Sequence, residues 1–310
     1  MARPLRIEFP GAFYHVTSRG NEKKDIFRSR KDREQFFFYL ESATERYGAF
    51  VHAYCLMTNH YHLLLETPHG NLSEIMRYVN GSYTTYFNTK RKRSGHLFQG
   101  RFRSIVVDAD EYAMELSRYI HLNPVRAGKV SHPDDYEWSS YRSYVGNSVS
   151  PGWLKTEFIL SSFGKKGREK NYRTFVEDLL AAEYGSPLLD VVASTLLGSP
   201  EFVTGIFGKY VNVQKPDRSV PAVRALTRSL SIEEVARKAG EMLPGREVLA
   251  RKLAMYVCHR YCGEKLKQIG ERFGIGDSAV SLASKRLDTE LVRDEDLKKA
   301  LEMLRRELNL

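Results

Sequence analysis

The sequence predicts an α+β domain built on an antiparallel sheet with packed helices, followed by an all-α region. Three observations carry this. Up to about Gly146, short apolar runs with strand-like alternation are interleaved with longer helical patterns. Two of the strand-like runs are neighbours, separated only by Thr58-Asn59, which suits an antiparallel hairpin. From Trp153 onward the pattern is mostly helical.

Taken in order, Ala12–Ser18 (AFYHVTS) reads as a strand. Lys31–Tyr47 reads as a helix, closed by Gly48 as a C-terminal stop. Phe50–Met57 and His60–Glu66 read as two strands. Leu72–Asn88 reads as a helix with Asn71 as its N-cap. His96–Val107 reads as a strand or hairpin broken by Gly100. Glu111–Leu122 reads as a helix expected to stop near Asn123, because Pro124 disfavours helical geometry in the residue before it. A break follows at Gly146–Gly152, and a linker at Gln214–Arg228 with prolines at 216 and 221. Ser231, with Glu234 three residues on, opens the last helical region through a capping box. The expected domains are therefore 1–146, 147–230 as a helical connector, and 231–310.

Composition sets the partner class. The 310 residues are 42% hydrophobic, enough for a buried core, and 48 Lys+Arg against 38 Asp+Glu leave a net charge of +10. That balance favours an acidic partner, with nucleic acid first. Only Cys55, Cys258 and Cys262 are present, too few for a disulfide scaffold, and they fit a reducing cytoplasm, the expected location. The first 20 residues hold no apolar run of the kind a signal peptide needs. No stretch of about 18 apolar residues suggests a membrane span.

In HYHLLLE, alternation puts His60, His62, Leu64 and Glu66 on one strand face and Tyr61, Leu63 and Leu65 on the other, the expected core face. The two imidazoles are about 6–7 Å apart along the strand and point the same way. Neutral imidazoles so placed can hold a divalent ion, and they can equally be two half-buried strand residues. Tyr119 and Asn123 share a helix face at i,i+4. Asn123 offers a neutral carbonyl oxygen that suits Mg²⁺ or Mn²⁺, and beside Pro124 it also reads as a helix C-cap. His121 lies roughly 200° around the helix from Tyr119 and should face away. Among 18 tyrosines, Tyr119 taken alone reads as a core aromatic. Glu66 reads as a salt-bridge partner.

The runs LMTNHYHLLLETP, GRFRSIVVD and RYIHLNPVRAG resemble the single-tyrosine transposases with a His-hydrophobic-His motif, and especially the REP-associated tyrosine transposases. The resemblance covers about Phe9 to Val145. It implies a ferredoxin-like sheet of the His-hydrophobic-His nuclease type, with His60 and His62 on a central strand as metal ligands. It implies Tyr119 as the nucleophile and Asn123 as third ligand, for Mg²⁺ or Mn²⁺. The reaction implied is cleavage and rejoining of single-stranded DNA through a covalent 5′-phosphotyrosine, in transposition at hairpin or repeat sequences. Relatives include monomers and homodimers.

From Arg77 to Arg103 the chain has seven Lys/Arg and no Asp/Glu. Lys90, Arg91, Lys92, Arg93, Arg101 and Arg103 are candidate phosphate contacts, with Phe98 and Phe102 interleaved. The same pattern also describes a solvated basic loop over core phenylalanines. Arg19, Gly20 and Asn21 form a turn after the first strand, which by the resemblance helps read a short unpaired guide sequence. In the last region, LKQIGERFGIGDSAVSLASKRL has the outline of a helix-turn-helix. Ile269, Phe273, Val280 and Leu287 would be core; Ser278, Ser281, Ser284 and Lys285 could face duplex DNA. A plain helical bundle has the same outline. Residues 231–310 also resemble the DNA-binding domain of the replication initiator DnaA, strongly in ARKLAMYV and LKQIGERFG. They depart from it at Gly276-Asp277-Ser278-Ala279, so its sequence preference does not carry over. Cys258 and Cys262 share a helix face but have no second ligand pair, and read as core residues. The expectation is thus a strand-transferring enzyme; the alternative is a catalytically inactive, sequence-specific DNA-binding regulator.

Overall fold

Strand β1 (Ala12–Arg19) leads into helix α1 (Arg30–Tyr47), then β2 (Phe50–Leu56), β3 (His60–Thr67), α2 (Leu72–Lys90), β4 (Arg103–Val107) and α3 (Ala109–Arg126). The computed structural model describes residues 6–180, 185–192, 194–210, 231–261, 266–291 and 294–308. The expected linker 214–228 and Cys262 lie outside these. The chain divides into two units, one from Arg6 to Leu189 and one from Asp190 to Leu310.

In the first unit β1 pairs antiparallel with β3 on one side and β4 on the other, and β2 pairs antiparallel with β3, giving the order β2-β3-β1-β4. Helices α1 and α2 cover one sheet face. There Tyr61 is fully buried against Phe36, ring centroids 4.9 Å apart, and its hydroxyl donates to Asn80 Oδ1 at 2.8 Å. Helix α3 covers the other face, packing on β2 and β3. Both faces are therefore covered at their centres, while the end of the histidine face that carries Arg19, His60 and Arg103 stays open to solvent.

Local chemistry explains the helix ends. Ser29 and Asp32 form a reciprocal capping box at the start of α1, and Gly48 closes it with φ 67°. Asn71 holds the N-cap position of α2, but its side chain donates to the Tyr47 carbonyl instead of capping. Two expectations change. The strand expected from His96 begins only at Arg103, because residues 97–99 hydrogen-bond back to the end of β1: Asn21 N–H to the Leu97 carbonyl and Gln99 N–H to the Arg19 carbonyl. Helix α3 does not stop near Asn123 but runs through Pro124 to Arg126. Proline loses its own N–H bond and its ring crowds the carbonyl one turn back, but the last turn is held by Ala127 N–H to the Asn123 carbonyl and Lys129 N–H to the Pro124 carbonyl, both at 2.9 Å. The Asn123 side-chain amide meanwhile donates to the Tyr119 carbonyl at 2.8 Å.

The first unit extends beyond Gly146 to Leu189. Short helices α4 (Tyr141–Tyr144) and α5 (Glu157–Leu160) and the longer α6 (Arg168–Glu177) complete it. Tyr172 of α6 shares hydrogen bonds with Ser117 (2.9 Å) and His121 (2.7 Å) of α3. Residues 147–177 thus brace the helix that carries Tyr119.

The second unit holds α7 (Pro200–Tyr210), α8 (Ile232–Met242), α9 (Glu247–Tyr261), α10 (Leu266–Phe273), α11 (Asp277–Leu291) and α12 (Glu295–Glu307). Ser231 caps α8 by accepting from Glu234 N–H. Val235, Leu253, Ile269, Phe273, Val280 and Leu287 lie in one core. The turn between α10 and α11 is tight: a Cβ on Gly270 would meet the Ile275 carbonyl oxygen at 2.5 Å. No described helix is long and apolar enough to cross a membrane.

Candidate active site

Strand register assembles the site. Thr17 lies opposite His62 and Arg19 opposite His60 across β1 and β3, while Arg103 of β4 lies opposite Thr17. Directly opposed residues share a sheet face. His60, His62, His15, Arg19 and Arg103 are therefore on one face, the face under α3. The Tyr119 ring stands edge-on to both His62 (centroids 5.7 Å) and His15 (6.0 Å). Asn123 follows one turn later on α3.

Burial keeps these imidazoles neutral. It pushes His15 down to about 3 and, with the neighbouring His15 and His60, lowers His62 well below the usual histidine range. His60 is lowered by burial and by Arg19. Neutral rings present lone pairs, which is what a cation needs. His60 Nδ1 lies 2.7 Å from Asn59 Oδ1. A carbonyl oxygen can only accept, so Nδ1 carries the proton and Nε2 is left as a lone pair. Asn123 spends its amide N–H on the Tyr119 carbonyl, which leaves Oδ1 as an acceptor. His62 Nδ1 lies 2.9 Å from His15 Nε2, leaving His62 Nε2 for a ligand. Among the described residues no cluster of three or more His, Cys, Asp or Glu could hold a metal ion. A divalent ion here would need the two histidines plus a donor of another type, and the Asn123 carbonyl is of that type.

The remaining candidates divide. His121 is turned away from Tyr119: it is fully buried, bonded through Nδ1 to Tyr172 and through Nε2 to Ser140 at 2.7 Å each. Glu66 pairs with His52 at 2.9 Å. Lys90 and Arg91 turn inward onto buried Asp32, Lys90 at 2.9 Å. Burial pushes the Asp32 carboxyl up, but the hydrogen bonds from Lys90 and Arg91 outweigh it and hold it at about 2. Lys92, Arg93, Arg101 and Arg103 are exposed. Arg19 donates to Gln99 Oε1 at 2.9 Å. Phe98 is buried, and Phe102 is covered by the Arg6 guanidinium at 3.8 Å, so neither ring is a free stacking surface. Next to the Arg19–Asn21 turn lies a cavity of about 410 Å³ whose cations are Lys24, Arg28, Arg91 and Arg93, with Glu22 and Asp25. Within that turn Gly20 is required, since a Cβ there would meet the Lys24 carbonyl oxygen at 1.9 Å. On α11, Ser278 and Lys285 are exposed and Ser281 half-buried. Ser284 is buried on His259 Nδ1 at 2.8 Å and does not face solvent. Cys258 is buried in the core of the second unit.

Two site residues give no signal in the sequence pattern. His15 sits inside an ordinary strand, and only the β1–β3 register brings it to His62. Arg126 sits 5.6 Å over the Tyr119 ring. Its i+7 spacing puts it two turns along the same face, but it lies beyond the helix end that Pro124 predicts.

Residues 9–123 match the family model described as "Transposase IS200 like". A protein of Haemophilus influenzae named as a REP-associated tyrosine transposase is 27% identical over 128 residues, covering 38% of this chain and 73% of that protein. The solved structure of a REP-associated tyrosine transposase bound to a REP hairpin covers 50% of this chain and 92% of its own, with 16% identity and a TM-score of 0.42.

Proposed function

We propose that this chain is a REP-associated tyrosine transposase that cleaves and rejoins single-stranded DNA at hairpin or repeat sequences, with Tyr119 as the nucleophile. The observation that carries this is the edge-on placement of Tyr119 over His62, 5.7 Å between centroids, inside the stretch that matches the transposase model. The strand and helix order of residues 12–107 supports a ferredoxin-like sheet.

A phenol, with a pKa of about 10, is a weak nucleophile at neutral pH and must be helped. His60, His62 and Asn123 would hold Mg²⁺ or Mn²⁺, which when bound would polarise the scissile phosphate and offset charge developing on it. Tyr119 attacks phosphorus in line. The phenolic O–P bond forms and the bond to the 3′ oxygen breaks. The phenol loses a proton and the released 3′-hydroxyl gains one, so the step is proton-neutral. The phosphodiester energy stays in the 5′-phosphotyrosine, and a 3′-hydroxyl reverses the reaction without ATP. Arg126 over the Tyr119 ring and the exposed Arg19 and Arg103 place positive charge around the phosphate path. The cavity beside Asn21 suits an unpaired guide segment. Helices α10 and α11 would act as a helix-turn-helix on duplex DNA, through Ser278, Ser281 and Lys285.

Incubation with single-stranded hairpin DNA and Mg²⁺ or Mn²⁺ should give a covalent adduct that maps to Tyr119. Tyr119→Phe should bind the same DNA with unchanged affinity and give no adduct. An adduct from that variant would overturn the assignment. DNA binding by the unaltered chain with no adduct under any divalent ion would favour the regulator.

A further inference from the structure

His15 is buried, with 2% of its surface exposed, and has one hydrogen-bond partner, His62 Nδ1 at 2.9 Å from its Nε2. Its own Nδ1 is buried with no partner. The two rings are nearly parallel, 6° apart, with centroids 5.2 Å apart. One proton lies in the bond between two neutral rings, so two arrangements exist. In the first, His15 donates from Nε2, and His62 must carry its proton on Nε2, where it blocks a ligand. In the second, His62 donates from Nδ1, and its Nε2 lone pair is free. Either way His15 Nδ1 is unpaired: a bare acceptor in the first, a bare N–H in the second. Buried donors are orphaned less readily than acceptors, so the metal-free pair rests in the first arrangement.

We infer that His15 is a positioning residue that sets the tautomer of His62, and that the pair must switch from the first arrangement to the second before His62 can ligate a cation. The inference rests on the proposed metal role of His60, His62 and Asn123. In the switch one proton leaves His62 Nε2, one crosses from His15 to His62 Nδ1, and one arrives at His15 Nδ1. The net charge is unchanged. His60 needs no such switch, because Asn59 Oδ1 already fixes its proton on Nδ1.

The test uses the full chain and two variants, titrated with Mn²⁺ by calorimetry. His15→Phe keeps an aromatic ring of similar size but offers no acceptor, so a ligating His62 would leave its Nδ1–H unpaired. Its Mn²⁺ affinity should fall about 10–100-fold. His15→Gln can accept through Oε1 or donate by amide rotation and has no second ring nitrogen to orphan. It should bind Mn²⁺ at least as tightly as the unaltered chain. Nitrogen-15 spectra of the imidazoles should place the His62 proton on Nε2 without metal and on Nδ1 with saturating Mg²⁺. Equal affinities for all three proteins, a Gln variant as weak as the Phe variant, or one His62 tautomer throughout would overturn the inference. If the unaltered chain takes up neither ion, the metal reading itself fails, and this inference with it. Binding that is insensitive to residue 15 fails the inference alone.

Discussion

His121 and His15 are both fully enclosed imidazoles, yet the molecule uses them differently. Around His121 every polar atom has a partner. Ser117 donates to the Met114 carbonyl (2.7 Å), Tyr172 shares hydrogen bonds with Ser117 and with His121 Nδ1, and Ser140, which also lies 3.3 Å from the Tyr54 carbonyl, bonds to His121 Nε2. The network is complete and ties α3 to α6 and to the segment before α4. Around His15 the chain of bonds ends at an unpaired Nδ1. Burial depresses both rings to about 3. The same shift therefore accompanies a closed structural network and an open pair beside the candidate nucleophile. What separates a brace from a working site is whether the polar atoms are all spent.

The largest effect should come from the open side. His62→Ala should lower adduct formation on the order of a hundredfold or more, as loss of a ligand at a catalytic centre does. His62 is buried and is the hydrogen-bond partner of His15, so the variant should also lose about 1–3 kcal/mol of unfolding free energy, and adduct yield is read on the folded fraction. A large loss of stability with intact cleavage would invert the contrast. On the closed side, Tyr172→Phe should leave His121 Nδ1 without its partner, while Ser117 keeps the Met114 carbonyl, and cost about 1–3 kcal/mol of unfolding free energy. Denaturant titration reads that, and Mn²⁺ affinity should change less than twofold or so.

How much of this is legible in the sequence follows from interaction range. Alternation in HYHLLLE places both histidines on one face from seven consecutive residues, and i,i+4 spacing pairs Tyr119 with Asn123. Those are local rules. His15 requires the strand register between β1 and β3, separated by 47 residues from His62. The course of α3 past Pro124 departs from expectation because the rule for proline describes a preference, which packing of the buried Pro124 overrides. The basic run shows the reverse limit. Lys90 and Arg91 belong to Asp32, 58 and 59 residues away, and nothing local distinguishes them from Lys92 and Arg93.

That last division is testable by pH and by salt. Asp32 is held at about 2, below its unfolded value of about 3.9. A depressed carboxylate stabilises the fold above the unfolded value and loses that contribution as pH falls toward the folded one. Stability should therefore drop by about 2 kcal/mol between pH 4 and pH 2 from this group, and Asp32→Asn should flatten that segment of the curve. An unchanged acid limb in the variant would mean that Lys90 and Arg91 are not held by Asp32.

The smallest effect should lie with the outward cations. Lys92 and Arg93 are exposed, so their replacement leaves no buried carboxylate unpaired. Lys92→Ala with Arg93→Ala should leave the thermal midpoint within about a degree. For every phosphate no longer neutralised, the slope of log affinity against log salt for single-stranded DNA should shrink by about 0.7. The weakening should be alike for all sequences, because cations that touch only phosphates carry no base information. Lys90→Ala should do the opposite: it loosens Asp32 and lowers stability, while the salt slope stays nearly constant. If Lys90→Ala also lowers the slope, the inward pair reaches DNA as well, and the basic run is one surface rather than two.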